Sequence, residues 1–181
     1  MDSAPTTSLD ATKAGLIALV GAPNVGKSTL INRLVGAKVA IVTPKAQTTR
    51  TRVLGIRMQQ QVQAVFVDTP GIFQPKRRLD RAMVQTAWRD AGDADLTCFL
   101  VDAEKGFNRA SQAIAGKLQN SGREVVVVLN KIDRVRRHAL LELAHTVSNA
   151  VNCTDVFMIA AINGDGVEDM FEKLAGRLPD G

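Results

Sequence analysis

The chain has 181 residues, a formal net charge of +5 and a pI near 9.6. No apolar stretch approaches the roughly 20 residues needed to span a bilayer. The two cysteines, Cys98 and Cys153, lack metal-ligand spacing and exclude a disulfide framework, so both read as reduced structural thiols. Aromatic residues make up only 4% and there is no Tyr, so the core must be mostly Val, Ile, Leu and Ala. That suits a parallel sheet buried on both faces. The basic residues cluster at Lys76, Arg77 and Arg78 and again at Arg134, Arg136 and Arg137. Such a balance permits contact with RNA or an anionic membrane and does not choose between them.

Residues 1–13 are rich in Ser, Thr, Ala and Pro, without a basic start or an apolar stretch. They read as a disordered tail rather than a signal peptide, leaving 14–181 as one domain. A short apolar run over 15–20 predicts a strand ending at a glycine loop, and the spacing of Leu30, Ile31, Leu34 and Val35 predicts a helix after it. Segments 52–57 and 62–67 predict a hairpin across the polar turn 58–61, because so short a connection forces antiparallel pairing. Helices are expected over 79–91, 108–119, 136–151 and 167–177, and strands over 96–101, 124–129 and 155–159. The total is six strands and five helices. Strands alternating with helices predict an α/β doubly wound sheet, mostly parallel with one antiparallel strand and helices on both faces.

Ligands of such sheets bind beyond the carboxyl ends of the strands, and four distinctive loops fall there. Gly21-Ala22-Pro23-Asn24-Val25-Gly26-Lys27-Ser28 follows the first strand and opens a helix. It is a phosphate-binding P-loop pattern: backbone N–H groups at a helix N-terminus cradle phosphate oxygens. Lys27 then supplies a point charge and Ser28 a hydroxyl for Mg²⁺, with Thr29 next in the helix. Asp68-Thr69-Pro70-Gly71 follows the third strand. Asp68 fits the acidic Mg²⁺ position, and the Gly71 amide can sense a γ-phosphate. Asn130-Lys131-Ile132-Asp133 follows the fifth strand. The Asp133 carboxylate can accept from guanine N1–H and N2–H₂. Adenine would leave it unpaired, so the motif argues for GTP over ATP. Lys131 can lie over the base, and Asn130 can tie this loop to the phosphate loop. The polar run 43–52 reads as a switch loop whose threonine joins Mg²⁺ and the γ-phosphate only with GTP bound.

These motifs, with Pro44-Lys45-Ala46-Gln47-Thr48-Thr49-Arg50 between the first two, resemble the G domain of the Era family of bacterial ribosome-assembly GTPases over about 14–178. The switch segment sets the chain apart from the Der and MnmE relatives, which stand as the alternative. The resemblance implies Thr49 as the Mg²⁺ and γ-phosphate ligand, with Thr48 the fallback. It places the last base motif at Ala160-Ala161, where Ala160 replaces the usual Ser and the Ala161 amide meets guanine O6. It marks Asn24 as a candidate K⁺ ligand beside the phosphates. Nucleotide contacts then fall on Pro23, Asn24, Val25, Gly26, Lys27, Ser28, Thr29, Asp68, Gly71, Asn130, Lys131, Asp133, Ala160 and Ala161.

Family members carry a KH domain that binds 16S rRNA of the 30S subunit, and this chain stops at Gly181. The resemblance therefore implies an isolated, monomeric G domain of a cytoplasmic protein, with peripheral contact at the inner membrane left open. Lys27, Thr49 and Gly71 are the expected catalytic positions. Ile72 stands where a Ras-type enzyme has the water-orienting Gln, so slow intrinsic hydrolysis is expected, with water held by backbone groups of the switches. A P-loop kinase or ATPase is disfavoured by Asp133, and a non-hydrolysing scaffold by the intact Lys27, Ser28 and Asp68.

Overall fold

The structure, a computed structural model, describes residues 13–36, 52–68 and 94–181. The chain runs β1 (Lys13–Gly21), α1 (Lys27–Val35), β2 (Arg52–Gln59), β3 (Val62–Asp68), β4 (Leu96–Asp102), α2 (Arg109–Ser121), β5 (Glu124–Asn130), α3 (Arg137–Ala150), β6 (Asn152–Met158) and α4 (Val167–Gly176). A single 3₁₀ turn, Ile132–Arg134, lies between β5 and α3. The strand order is β2-β3-β1-β4-β5-β6. Among the described strands, only the β2–β3 pair is antiparallel. The doubly wound sheet read from the sequence is therefore present. The helix expected over 79–91 and the switch residues 43–51 lie outside the described residues.

The helix layers follow from chirality. From β1 the chain moves one way along the sheet to β3, whereas β4, β5 and β6 step the other way. Right-handed crossovers then place α1 on one face and α2 and α3 on the other. Accordingly α1 contacts α4, and α2 contacts α3.

Composition tracks position in the sheet. All seven residues of β4 are buried, as are six of the seven in β5, and both strands are mostly apolar. In β6, at the edge, exposed and half-buried residues alternate. Its first residues, Asn152, Cys153 and Thr154, carry no apolar signal, which is why the sequence places the strand start three residues late. The β2–β3 turn is likewise tighter than its polarity suggests. Pairing continues to Gln59 opposite Val62, and Gln60 turns the chain at φ 52°. At the other end, Arg52 is the first residue of β2 rather than part of the switch loop.

Lys13, assigned to the tail by composition, is the first residue of β1. Its amide donates to Gln61 O at 2.9 Å and its ammonium to Gly176 O at 2.8 Å, at the carbonyl end of α4. A tail residue with a helix end and a strand to bind is ordered by both. Cys98 is fully buried, and burial pushes its thiol up to about 12, against a smaller lowering from Arg177. It is a core residue rather than a nucleophile.

Beneath α1 and α4, Phe66 of β3 packs against Phe171 of α4 with ring centroids 6.4 Å apart. The Arg57 guanidinium covers the outer face of Phe171 at 4.0 Å and pairs with Glu168 at 2.6 Å. Phe66 is fully buried, so Phe66→Ala is expected to cost about 4 kcal/mol. Thermal unfolding should show this as a midpoint lowered by about 10 °C.

Candidate nucleotide-binding site

Strand register brings the loops to one edge. Leu19 of β1 lies opposite Asp68, Gly21 opposite Leu100, and Asp102 opposite Asn130. The carboxyl ends of β1, β3, β4 and β5 are thus level, and β6 follows with Leu129 opposite Met158.

At the end of β1 the chain reverses over Ala22 to Gly26 into α1. Asn24 takes the left-handed conformation at φ 66°, which Asn tolerates better than most residues. This is a direct reason for an Asn there, separate from any ion. Gly26 sits at φ 101° immediately before α1. Its missing Cβ matters twice, because a Cβ there would also collide with Asn130 Nδ2. The helix has no side-chain cap and no acidic residue in its first turn. By contrast, Asn108 caps α2 by accepting from Ser111 N at 3.0 Å. The first amides of α1 therefore remain available to an anion. Ser28 and Thr29 are exposed beside them. Lys27 Nζ folds back to donate to Gly21 O at 3.0 Å, which holds the ammonium over the loop. Val25 is buried and anchors the loop in the core.

Asn130 is the connector. It is 2% exposed, and both ends of its amide are satisfied. Nδ2 donates to Val25 O at 2.9 Å, and Oδ1 accepts from Ala161 N at 3.0 Å. One side chain thus joins the ends of β1, β5 and β6. The tie to the phosphate loop is the one read from the sequence. The tie to Ala161 is not: this amide, assigned to guanine O6 by resemblance, donates to Asn130 in this structure.

The next residue, Lys131, is also left-handed, at φ 67°. Its Nζ donates to Asn24 O at 3.0 Å and to Asp102 Oδ2 at 2.8 Å. The Asp102 side chain is 4% exposed, and Oδ1 accepts from the amides of Glu104 and Lys105 at 2.9 and 3.2 Å. Burial by itself would raise the Asp102 carboxyl. The Lys131 hydrogen bond, the two amides and the Lys131 charge outweigh it and hold the group below the usual carboxylate range.

A cleft of about 80 Å³ lies between these loops, lined in part by Gly26, Thr29, Asn130, Lys131, Asp133 and Ala161. Asp133 stands exposed in the 3₁₀ turn and makes no hydrogen bond to a described residue. Ser28, at the start of α1, and Asp68, the last residue of β3, are the positions that could hold a divalent ion. Both offer hard oxygen ligands that suit Mg²⁺. Thr48, Thr49, Gly71 and Ile72 lie outside the described residues. Among the described residues, no group of three His, Cys, Asp or Glu forms a metal cluster.

Residues 16–131 match the family described as 50S ribosome-binding GTPase. The chain belongs to that family. It is 53% identical over 171 residues to GTPase Era of Bradyrhizobium diazoefficiens, covering 94% of this chain and 56% of the relative. It is 54% identical over 170 residues to GTPase Era of Sinorhizobium medicae, covering 94% and 55%. The chain thus spans a little over half the length of the curated relatives it matches. Two solved structures share its fold at 37% identity. An Aquifex aeolicus Era variant bound to GDP·AlF4⁻ superposes with a TM-score of 0.78 over 93% of this chain and 58% of that one. Era in complex with MgGDPNP and part of 16S ribosomal RNA superposes at 0.79 over 94% and 58%. These relatives do not favour the Der or MnmE alternative.

Two residues that brace the candidate site escape sequence reasoning. Asp102 ends an apolar strand on the loop edge, a position that signals function, but its partner Lys131 is 29 residues away. Arg33, on the surface of α1, donates to Ala161 O and Ile162 O, and nothing in the helical periodicity marks it. The lowered Asp102 carboxyl fixes the sign of its pH dependence. The stabilisation is fully present above the ordinary aspartate range and is lost as pH falls from there through the lower folded value. Asp102→Asn is expected to cost about 2 kcal/mol in urea unfolding at neutral pH, with the gap to wild type narrowing as pH falls below the ordinary aspartate range.

Proposed function

We propose that this domain binds GTP and hydrolyses it to GDP and phosphate, acting as the nucleotide switch of an Era-type protein. The observation that carries the reading is the buried Asn130 side chain, which locks the phosphate loop and the Ala161 loop around one cleft with Asp133 free at its mouth. Phosphates sit on the amides that open α1, with the Lys27 ammonium against their outer oxygens. Guanine enters between Lys131 and the Ala161 loop and presents N1–H and N2–H₂ to Asp133. Guanine O6 shares the Ala161 amide with Asn130 Oδ1 or displaces it.

Hydrolysis transfers the γ-phosphoryl group to water. The water oxygen bonds to phosphorus, and the bond to the bridging oxygen of GDP breaks. When bound, Mg²⁺ neutralises charge on the β and γ oxygens, and Ser28, Asp68 and Thr49 are the residues that hold it. A solved Era neighbour was captured with MgGDPNP, which supports that ion. Lys27 takes up negative charge on the terminal phosphate. The Gly71 amide and the Thr49 hydroxyl are the proposed further contacts to that phosphate. Ile72 offers the attacking water no hydrogen bond, so the intrinsic rate is slow. Asn24, left-handed beside the loop, is the proposed K⁺ ligand.

The same neighbour holds 16S ribosomal RNA, which supports an rRNA partner and a role in small-subunit assembly for the whole protein. RNA binding is assigned to a KH domain following this one, with the G domain acting as a monomer in the cytoplasm. Among the described residues no helix is long and apolar enough to cross a membrane.

Asp133→Asn replaces the acceptor facing N1–H and N2–H₂ with a group that also donates. GDP affinity should fall roughly 100-fold by titration calorimetry, and xanthosine diphosphate, with a carbonyl at C2, should gain. Unchanged GDP affinity would refute the base assignment. Phosphate release at equal ionic strength is expected to be faster in KCl than in NaCl, and equal rates would remove K⁺ from Asn24.

A further inference from the structure

Ala161 is gripped from two sides. Its N–H donates to Asn130 Oδ1, and its C=O accepts from Arg33 Nε at 3.2 Å. Arg33 Nη2 reaches the next carbonyl, Ile162 O, at 2.6 Å. The fork of the guanidinium thus spans two successive carbonyls, a geometry that Lys cannot reproduce. Gly164 turns the chain beside Arg33 at φ 89°, in the left-handed region that favours glycine.

The loop is otherwise closed on itself. Ala160 N donates to Asp165 O, Gly164 N to Ala160 O, and Asp165 N to Asn163 Oδ1. Position 160 contributes only a buried methyl group, where the resemblance expects a supporting hydroxyl. Arg33 comes from α1, the helix whose N-terminus forms the phosphate end of the site. It therefore connects the phosphate helix to the loop at the base end.

We propose that Arg33 is a positioning residue that holds the Ala161–Ile162 loop against α1, supplying the support that a hydroxyl at position 160 would give, and thereby sets how long guanine nucleotide stays bound. This rests on the guanine-nucleotide reading above. Arg33 touches no base atom in this arrangement. It acts through the Ala161 backbone, so its loss shortens residence more than it slows capture.

The test is stopped-flow release of fluorescent GDP from the wild-type domain, Arg33→Ala, Arg33→Lys and the double variant Arg33→Ala/Ala160→Ser. Release is expected to be roughly tenfold faster in Arg33→Ala, about 1.4 kcal/mol, with an intermediate value for Arg33→Lys. The nucleotide-free melting midpoint should stay within about 2 °C of wild type, since hydrogen bonds from an exposed surface side chain add little global stability. Adding Ala160→Ser should recover most of the lost residence time. Wild-type release from Arg33→Ala, or faster release accompanied by a collapse of nucleotide-free stability, would overturn the positioning role. A double variant no slower than Arg33→Ala would overturn the compensation for the missing hydroxyl. A wild-type domain that fails to retain GDP would refute the guanine reading itself and this inference with it.

Discussion

The site depends on one buried amide. Asn130 is nearly inaccessible to solvent, so leaving either end of its side chain unpaired would carry the full desolvation penalty. Both ends are paired, to backbone groups of loops that follow different strands. The geometry of phosphate loop and base loop is therefore linked to the same term that keeps the core dry. Gly26 is the steric counterpart, since its missing Cβ is what lets the Asn130 amide approach the phosphate loop.

A second layer of charge supports this connector. Lys131 spans from Asn24 O to the Asp102 carboxylate, and Asp102 is held in turn by the amides of Glu104 and Lys105. The base motif is thus braced against the ends of β1 and β4. Asp95 performs a similar closure at the other end of the sheet. Its carboxylate accepts from Leu16 N at 2.8 Å while its own amide donates to Leu16 O at 2.9 Å. The strands that carry the loops are fixed at both ends, and a site held on rigid elements can place its groups precisely.

Much of the architecture was legible because burial and composition coincide in the central strands. The four valines of β5 and the apolar β4 could lie only between two helix layers. Legibility failed where packing left one face of a strand wet. The polar start of β6 and the continuation of β2 to Gln59 are set by pairing with a neighbour, which leaves no periodic trace. In the candidate site, Lys27, Asn130, Lys131 and Asp133 stand out in the sequence because the chemistry proposed for them demands fixed spacing along the chain. Asp102 and Arg33 do not, because their partners are 29 and 128 residues distant.

The sequence by itself determined the sheet class and the loop edge, and it marked the Asn130–Asp133 motif. These follow from local apolar patterning and from residue types that must be adjacent to act. Only the tertiary structure decided that the Ala161 amide is engaged by Asn130, that Asp102 fixes Lys131, and that Arg33 clasps the base loop. Those contacts join segments far apart in the chain, and their geometry exists only once strand register and helix packing have brought the segments within hydrogen-bonding distance.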